Sequence, residues 1–313
     1  MQAAMMAKGL LTWVPGVRQA FFNRDAARGT DSASYCYGVW LKHLTLLWAS
    51  GMGTVPRTVL ELGPGASVGT GVAALLSGAE SYIGIDAVAH ARPQTNDAVF
   101  RDLVELFLMK APRPRPGFPP IDQYLDAQLF PSMILDSASL EAALYTKRLE
   151  AIARSVHSLA TRSGDDRLRY QTWDSGARVD DGSVDLLFSH VVLNHVDDLD
   201  ALYATCAACV RSAGWMSHQV DFTCLNTASE WNGHLAYGEL AWKVIAGKRP
   251  YFVSREPVST HLELLDAHGF HVVQIIRGKR AGGISRRQLA PRWRGISDED
   301  LQTQTAFIVS RRR

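Results

Sequence analysis

The chain has few features that direct a protein to a membrane, to nucleic acid or to an oxidising compartment. Its 313 residues include only four cysteines, and its net charge is only +2. No apolar run approaches the ~20 residues that a membrane-spanning helix needs. Lys8 and Pro15 interrupt the mildly apolar N-terminus, which does not fit a secretory leader. We therefore expect a cytoplasmic protein with no membrane or nucleic-acid partner.

The cysteines are also too few to complete a metal centre. Cys206 and Cys209 form a C-x-x-C motif, which indicates zinc when a second pair accompanies it. No second pair exists, and both residues fall on the apolar face of a helix predicted over 198–212. We expect both thiols to pack in the core, and we expect no metal site.

The chain is rich in hydrophobic residues, at 47%, and they alternate between strand and helix patterns. Short apolar runs predict strands at 57–62, 81–86, 168–172, 184–190, 215–221, 271–278 and 303–312. A glycine turn and a helix separate the first two strands, which is the βαβ order of a parallel sheet. The sequence predicts an α/β, Rossmann-like fold with a seven-stranded, mostly parallel sheet and helices on both faces.

Three regions lie outside this regular alternation. Residues 1–56 are predicted to form an N-terminal helical cap, and residues 57–313 to form the sheet domain. That domain carries a helical insertion at 88–166 and a second insertion at 222–255. Outside 198–212, the main helix patterns run from a cap at Asp31 or Ser32 to Gly51, near 97–110, at 138–160 and at 257–268.

A glycine turn follows the first strand. Gly63, Pro64 and Gly65 form the turn, and Asp86 ends the next strand. Glycine lets the backbone approach a ligand closely and reach positive φ. An acid that ends the second strand of such a unit can accept hydrogen bonds from a ribose diol. The two features together predict a nucleotide-like ligand.

The spacing around this turn does not favour a dinucleotide. The NAD-type pattern requires a glycine at the position of Val68, whereas the next glycine is Gly69. Pro64 removes one N–H donor. Glu61 adds a carboxylate that suits an ammonium group better than a pyrophosphate.

The segment E-L-G-P-G, from Glu61 to Gly65, together with Asp86, resembles the nucleotide-binding motif of class I, Rossmann-like S-adenosylmethionine (SAM)-dependent methyltransferases. Ser67 stands where that family usually has its last glycine. DDGSVDLLFSHVVLNHV and LLDAHGF resemble later blocks of the same fold. SASYCYGVWLKHL and SHQVDF are similar to a bacterial, small-molecule group within this superfamily.

The resemblance implies S-adenosyl-L-methionine as the cofactor. Glu61 and Gly63 are expected at its methionine part, Asp86 at the ribose and Asp174 at the adenine. Tyr35 and Tyr37 are expected to form an aromatic lid, which suits a sulfonium, although core packing explains them equally well. The remaining expected cofactor contacts are Pro64, Gly65, Ala87, Trp173, Ser189 and His190.

Methyl transfer also needs a group that accepts a proton, and histidine titrates near neutrality. Because ligands bind beyond the carboxyl ends of parallel strands, His190 is the favoured base. His195 follows it and fits a structural role equally well. His218 and Asp221 also stand near a strand end, three residues apart, so only one is expected to face the cleft.

We therefore expect a methyltransferase that acts on O, N or C of a small molecule, because the two insertions can enclose a substrate and exclude water. Two alternatives stay open. The first is an enzyme that consumes SAM without methyl transfer, by cyclisation or aminopropyl-type transfer. The second is a non-catalytic SAM-binding module.

Overall fold

The computed structural model describes residues 2–14, 29–114, 130–161, 167–173, 178–249 and 251–313. The strands are β1 (Thr58–Leu62), β2 (Ser81–Asp86), β3 (Leu168–Thr172), β4 (Val184–His190), β5 (Val210–Asp221), β6 (Phe270–Lys279) and β7 (Thr303–Arg312). The helices are α1 (Gln2–Leu11), α2 (Ala33–Ala49), α3 (Gly69–Leu76), α4 (Pro93–Leu108), α5 (Ser137–Leu144), α6 (Thr146–Thr161), α7 (Leu199–Cys209), α8 (Glu239–Ala246), α9 (Val258–Ala267) and α10 (Asp298–Gln302).

The seven strands form a single sheet in the order β3-β2-β1-β4-β5-β7-β6. β1 to β5 pair in parallel, whereas β7 runs antiparallel to both of its neighbours. The predicted Rossmann-like α/β fold, with a mostly parallel sheet of seven strands, is confirmed. The order reverses between β1 and β4, and open α/β sheets bind ligands at such a switch point.

The side chains of alternate residues on the central strands pack into two separate cores, one on each face of the sheet. Val59, Leu186 and Phe188 pack on the front face, under α2, α3 and α4. Leu60 and Leu187 pack on the back face, under α7 and α9. Helices therefore cover both faces, which is why these strands are apolar on both sides.

The C-x-x-C pair lies in the back core, as the apolar helix face predicts. Cys206 and Cys209 are buried, at 3% and 8% exposed, among leucine and valine side chains. Burial raises the pKa of both thiols, so they pack as small apolar groups.

The first helix of the front face, α2, begins where the sequence places its cap. Ser32 accepts a hydrogen bond from the backbone N–H of Tyr35, and the helix ends before Gly51, whose φ is +99°. Most of its side chains are buried, including those of Lys42 and His43. The helix is therefore part of the front core, while the domain boundaries at 56 and 57 stay a prediction.

The structure differs most from the predicted boundaries in the segments 198–221 and 138–160. The helix expected over 198–212 ends at Cys209, and β5 begins at Val210. The early start of β5 follows from its pairing with β4. Val184 pairs with Val210 and Leu186 with Trp215, so β5 advances by five residues where β4 advances by two. The extra residues form a bulge in which Ala213 has a φ of +58°. Likewise, the pattern at 138–160 contains two helices, α5 and α6.

A buried arginine, Arg255, connects parts of the second insertion with one another and with Trp293 outside it. Arg255 lies over the rings of Trp242 and Trp293, at 4.8 Å and 5.5 Å. It also donates to the carbonyl of Tyr237 and pairs with Glu239. This fixes the segment that approaches the carboxyl ends of β4 and β5.

In the described part of the chain, no helix combines the length and hydrophobicity needed to cross a bilayer.

Candidate functional site

A cavity of about 1220 Å³ opens beyond the carboxyl ends of β1, β2 and β4. It exceeds the ~300–1,000 Å³ of typical small-molecule pockets, so it has room for a cofactor and an acceptor together. The glycine turn and Asp86 form one wall, and residues 190–205 form another. Leu225, Asn226 and Tyr251, from the second insertion, close a third side.

The glycine turn requires glycine at both of its ends. Gly63 and Gly65 have φ of +72° and +78°, which side chains with a Cβ rarely adopt. A Cβ on Gly63 would also lie 2.4 Å from Cγ2 of Val192. Both glycines and Pro64 line the cavity, and their role as cofactor contacts stays a prediction.

The N–H groups that follow the turn already have protein partners. Ala66 N donates to Thr30 Oγ1 at 2.8 Å, and Val68 N to Asn96 Oδ1 at 3.0 Å. Gly69 N donates to Ser67 Oγ, whose own hydroxyl donates to the Thr30 carbonyl. These three N–H groups are therefore already bonded within the protein, which makes them less available to a pyrophosphate.

Asp86 reaches the cavity from the end of β2. Its Oδ2 accepts hydrogen bonds from Gly65 N at 3.1 Å and from the hydroxyl of Tyr170 at 2.9 Å. Tyr170 accepts in turn from the backbone N–H of His90. Burial raises the pKa of Asp86, and these donors act against that rise. The carboxylate is thus held in one orientation beside the glycine turn.

His190 lines the cavity at the end of β4 and belongs to a chain of buried polar groups. Its Nδ1 lies 3.2 Å from Nε2 of His43, and His43 Nδ1 lies 2.7 Å from Oγ of Ser217. Burial, and then the nearby charge of Lys42, hold the pKa of His190 well below 6.5. Tyr35 packs edge-on against His190 at 6.1 Å and also lines the cavity.

His195 lines the cavity from the loop after β4. Its ring lies edge-on to Tyr251 at 5.8 Å. Burial lowers its pKa, whereas a backbone contact with Phe252 and the charge of Asp221 act to raise it. Asp221, at the end of β5, itself accepts a hydrogen bond from Thr223 N. His195 is thus a cavity histidine whose protonated form is favoured by a nearby carboxylate.

His218 lies on the opposite face from His190, outside the cavity lining. Its Nδ1 is 2.8 Å from Oγ of Ser189, its register partner on β4. Burial lowers the pKa of His218 to about 3. Tyr203 packs beside it and bonds to His261 Nδ1 at 3.0 Å. The structure thus places His218 and Ser189 in the back core, away from the predicted site.

Two further predicted contacts also point away from the cavity. Glu61 faces the front core, where it accepts from the hydroxyl of Tyr82 at 2.7 Å, and burial raises its pKa to about 8. Tyr37 is fully buried, stacks edge-on against Phe107 and donates to the Ala111 carbonyl. Ala87 and Trp173 line the cavity as predicted, and Asp174 lies outside the described residues.

Several residues at or beside the site were not predicted from the sequence. His43 had a signal, because it falls with Cys36, Trp40 and Leu47 on one helical stripe, where a buried polar group needs a partner. Thr30, Tyr170 and Tyr251 had no comparable signal, because each comes from a segment distant in sequence.

The loops around the cavity contain unusual backbone conformations. Among the described residues, three of the five non-glycine residues with positive φ line the cavity: Val191, Leu225 and Asn226. Such conformations cost ~1–3 kcal/mol each and cluster at functional sites. Their concentration here makes the cavity the candidate functional site.

Comparison with known proteins gives matches in structure alone. No family model and no curated protein sequence matches the chain. Among solved structures, the chain is similar to SAM-dependent methyltransferases. One is geranyl diphosphate C-methyltransferase of Streptomyces coelicolor A3(2), with 12% identity, a TM-score of 0.45 and coverage of 87% of this chain and 79% of that chain.

Two further matches are of the same kind. A SAM-dependent methyltransferase of Mesorhizobium loti has 14% identity, a TM-score of 0.42 and coverage of 86% and 96% of the two chains. Phosphoethanolamine N-methyltransferase 2 of Haemonchus contortus has 13% identity, a TM-score of 0.43 and coverage of 87% and 52%. The function proposed below is argued from the residues of the cavity.

Proposed function

We propose that this protein is a SAM-dependent methyltransferase that acts on a small molecule bound in the cavity. The observation that carries the proposal is the joint geometry of the glycine turn and Asp86. Gly63 and Gly65 expose the backbone at the cavity wall, and the carboxylate of Asp86 is fixed beside them. This is the arrangement that holds a nucleoside ribose.

The residues fit SAM better than a dinucleotide. A pyrophosphate is disfavoured because the N–H groups of Ala66, Val68 and Gly69 already have acceptors within the protein. Asp86 is proposed to hold the ribose, and Tyr35 to offer an aromatic surface to the sulfonium. When bound, SAM supplies an activated methyl group as the electrophile.

His195 is the best general base among the residues predicted for that role. A base must accept a proton, so a nearby anion favours it and a nearby cation opposes it. Asp221 favours protonation of His195, whereas Lys42 opposes protonation of His190. We therefore assign the proton-accepting role to His195, because it lines the cavity and the charge of Asp221 favours its protonated form.

The acceptor is proposed to be a small molecule because the second insertion closes the cavity. Leu225, Asn226 and Tyr251 face the loop that carries His195 across this space. Such enclosure excludes water from the reacting groups and positions the acceptor, which supplies much of the rate acceleration.

The experiment that tests the proposal is titration of SAM into the purified protein by calorimetry, with Asp86→Ala as the variant. We expect binding by the wild type and a loss of at least tenfold in the variant, because two ribose hydrogen bonds are removed. Asp102→Ala, an exposed aspartate on α4, is the matched control. Binding of NAD with none of SAM would overturn the proposal.

The product of turnover distinguishes methyl transfer from the alternatives. Incubation with SAM and a small-molecule extract, followed by mass spectrometry, should yield S-adenosylhomocysteine and a product heavier by one methylene. Methylthioadenosine would instead indicate cyclisation or aminopropyl-type transfer. SAM binding with no consumption under any condition would indicate a binding module.

A further inference from the structure

The two residues that follow the glycine turn bond to the segment before α2. The N–H of Ala66 donates to Thr30 Oγ1 at 2.8 Å, and the hydroxyl of Ser67 donates to the Thr30 carbonyl. The thiol of Cys36 donates to the same carbonyl at 3.4 Å. Thr30, a residue of the cavity wall, is therefore held at both its side chain and its backbone.

Ser67 makes hydrogen bonds that glycine could not make at this position. The residue is fully buried, and its hydroxyl donates to the Thr30 carbonyl and accepts from Gly69 N at 3.0 Å. A buried hydroxyl is costly without partners, and here the two partners fix the direction of its O–H bond. Loss of this hydroxyl would leave the Thr30 carbonyl to the thiol of Cys36, which is a weak donor.

Gly69 lets the first turn of α2 approach the start of α3 closely. A Cβ on Gly69 would lie 2.6 Å from Sγ of Cys36 and 2.6 Å from Cγ1 of Val99. Both distances are shorter than van der Waals contact, so a larger residue would displace these neighbours. Ser67 and Gly69 together therefore determine where the segment 29–36 lies against the glycine turn.

This segment places the ring of Tyr35 at the cavity. Tyr35 lines the cavity and lies edge-on to His190, with 6.1 Å between the ring centroids. Gly29 packs beside the same ring, since a Cβ at that position would lie 3.3 Å from three ring atoms. Because Gly29 directly precedes Thr30, a shift of Thr30 would move Gly29 and give the ring more freedom.

We propose that Ser67 is a positioning residue, which acts through Thr30 to hold the ring of Tyr35 where it meets a cationic ligand. The inference rests on the proposed function, in which Tyr35 offers its ring to the sulfonium of SAM. An aromatic ring attracts a cation more strongly than an uncharged thioether. The position of Tyr35 should therefore affect the binding of SAM more than that of S-adenosylhomocysteine, whose sulfur is uncharged.

The test compares the affinities for SAM and S-adenosylhomocysteine, by calorimetry, in the wild type and in Ser67→Ala. The ratio of the two dissociation constants should shift against SAM by about threefold, which is the size of a cation–π contact. A merely structural role would weaken the binding of both molecules equally. An unchanged ratio would therefore overturn the proposal.

Two further variants test whether Ser67 acts through Tyr35. Tyr35→Leu should shift the ratio in the same direction, and the double variant should shift it no further, because both changes affect one contact. Additive shifts would contradict the proposal. Ser77→Ala is the matched control, since Ser77 is also buried and accepts from Trp40 Nε1 of α2, at the opposite end of α3 from the glycine turn. It should leave the ratio unchanged.

A measurement without ligand separates this inference from the proposed function. The amide of Ala66, which bonds to Thr30 and not to Ser67, should exchange its hydrogen about fivefold faster in Ser67→Ala, as read by NMR. The amide of Gly63, which bonds to the Ile85 carbonyl at 2.8 Å, should exchange as in the wild type. Unchanged exchange at Ala66 would overturn the positioning role even where SAM binds. Faster exchange, with no binding of SAM by the wild type, would mean that the proposed function fails while Ser67 still positions the segment.

Discussion

The cavity histidines and the histidines of the back core have similar surroundings, but only the cavity histidines can contact a ligand. His190 pairs with His43 of α2, whereas His218 pairs with Ser189 across β4 and β5, and burial lowers the pKa of both. Adjacent residues on a strand point to opposite faces, so His190 meets the cavity while its neighbour Ser189 meets His218. A shift of one residue thus separates a group that can act on a ligand from one that can only support the fold.

The difference shows that strand-end position alone is a coarse guide to a site. Four residues near the ends of β4 and β5 were predicted to be catalytic: His190, His195, His218 and Asp221. The cavity is lined by His190 and His195, and the charge of Asp221 reaches His195. His218 faces the helices behind the sheet.

The largest expected effect comes from the cavity side. His195→Ala should lower kcat by ~10²–10⁴-fold, the usual contribution of a general base. The affinity for SAM should change little, because Asp86 and the glycine turn remain. Steady-state kinetics with the identified acceptor, together with calorimetry, measure both quantities. If His218→Ala lost turnover in a folded protein while His195→Ala kept it, the comparison would be reversed.

The next effect belongs to the back core and concerns stability. His218→Ala leaves a cavity and removes the partner of Ser189, so the free energy of unfolding should fall by about 2–4 kcal/mol. His195→Ala, which removes a half-buried loop side chain, should cost about 1 kcal/mol or less. Urea denaturation followed by circular dichroism measures both. Equal losses would show that His195 is as structural as His218.

The sequence was sufficient to predict the sheet and the glycine turn. β2, β3, β4 and β7 have the predicted bounds, because short apolar runs ended by an acid, histidine or turn are local features. Gly63, Gly65 and Asp86 follow from the same local pattern. The bulge at the start of β5 could not be predicted, since it depends on pairing with β4.

The orientation of polar side chains was harder to predict from the sequence than the strands and the glycine turn. Glu61 alternates with Leu60 and Leu62, so its direction depends on which face each neighbour covers. His43 contacts His190 and Ser217 only because α2 crosses β4 and β5 at their level. Helix docking and strand register are tertiary features, and no periodicity within one segment contains them.

The smallest effect tests the shared property of the two regions, which is that their histidines are neutral. Burial lowers the pKa of His261 from 6.5 to about 4. Below pH 6.5 the unfolded chain binds a proton at this residue that the folded protein does not bind. The free energy of unfolding should therefore fall as the pH drops from about 6.5 to about 4, by up to ~1.4 kcal/mol per pH unit for this group.

His261→Gln isolates that contribution, because glutamine does not titrate and can still bond to the hydroxyl of Tyr203. Urea denaturation at pH 7.5 and pH 5.5 should give a smaller loss of stability in the variant than in the wild type. Glu61 acts with the opposite sign, because its raised pKa of about 8 makes the folded protein bind the extra proton above pH 4.5. Its contribution is the same in both proteins, so it cancels from the comparison. An equal loss in both proteins would mean that His261 titrates in the folded state as it does in the unfolded chain.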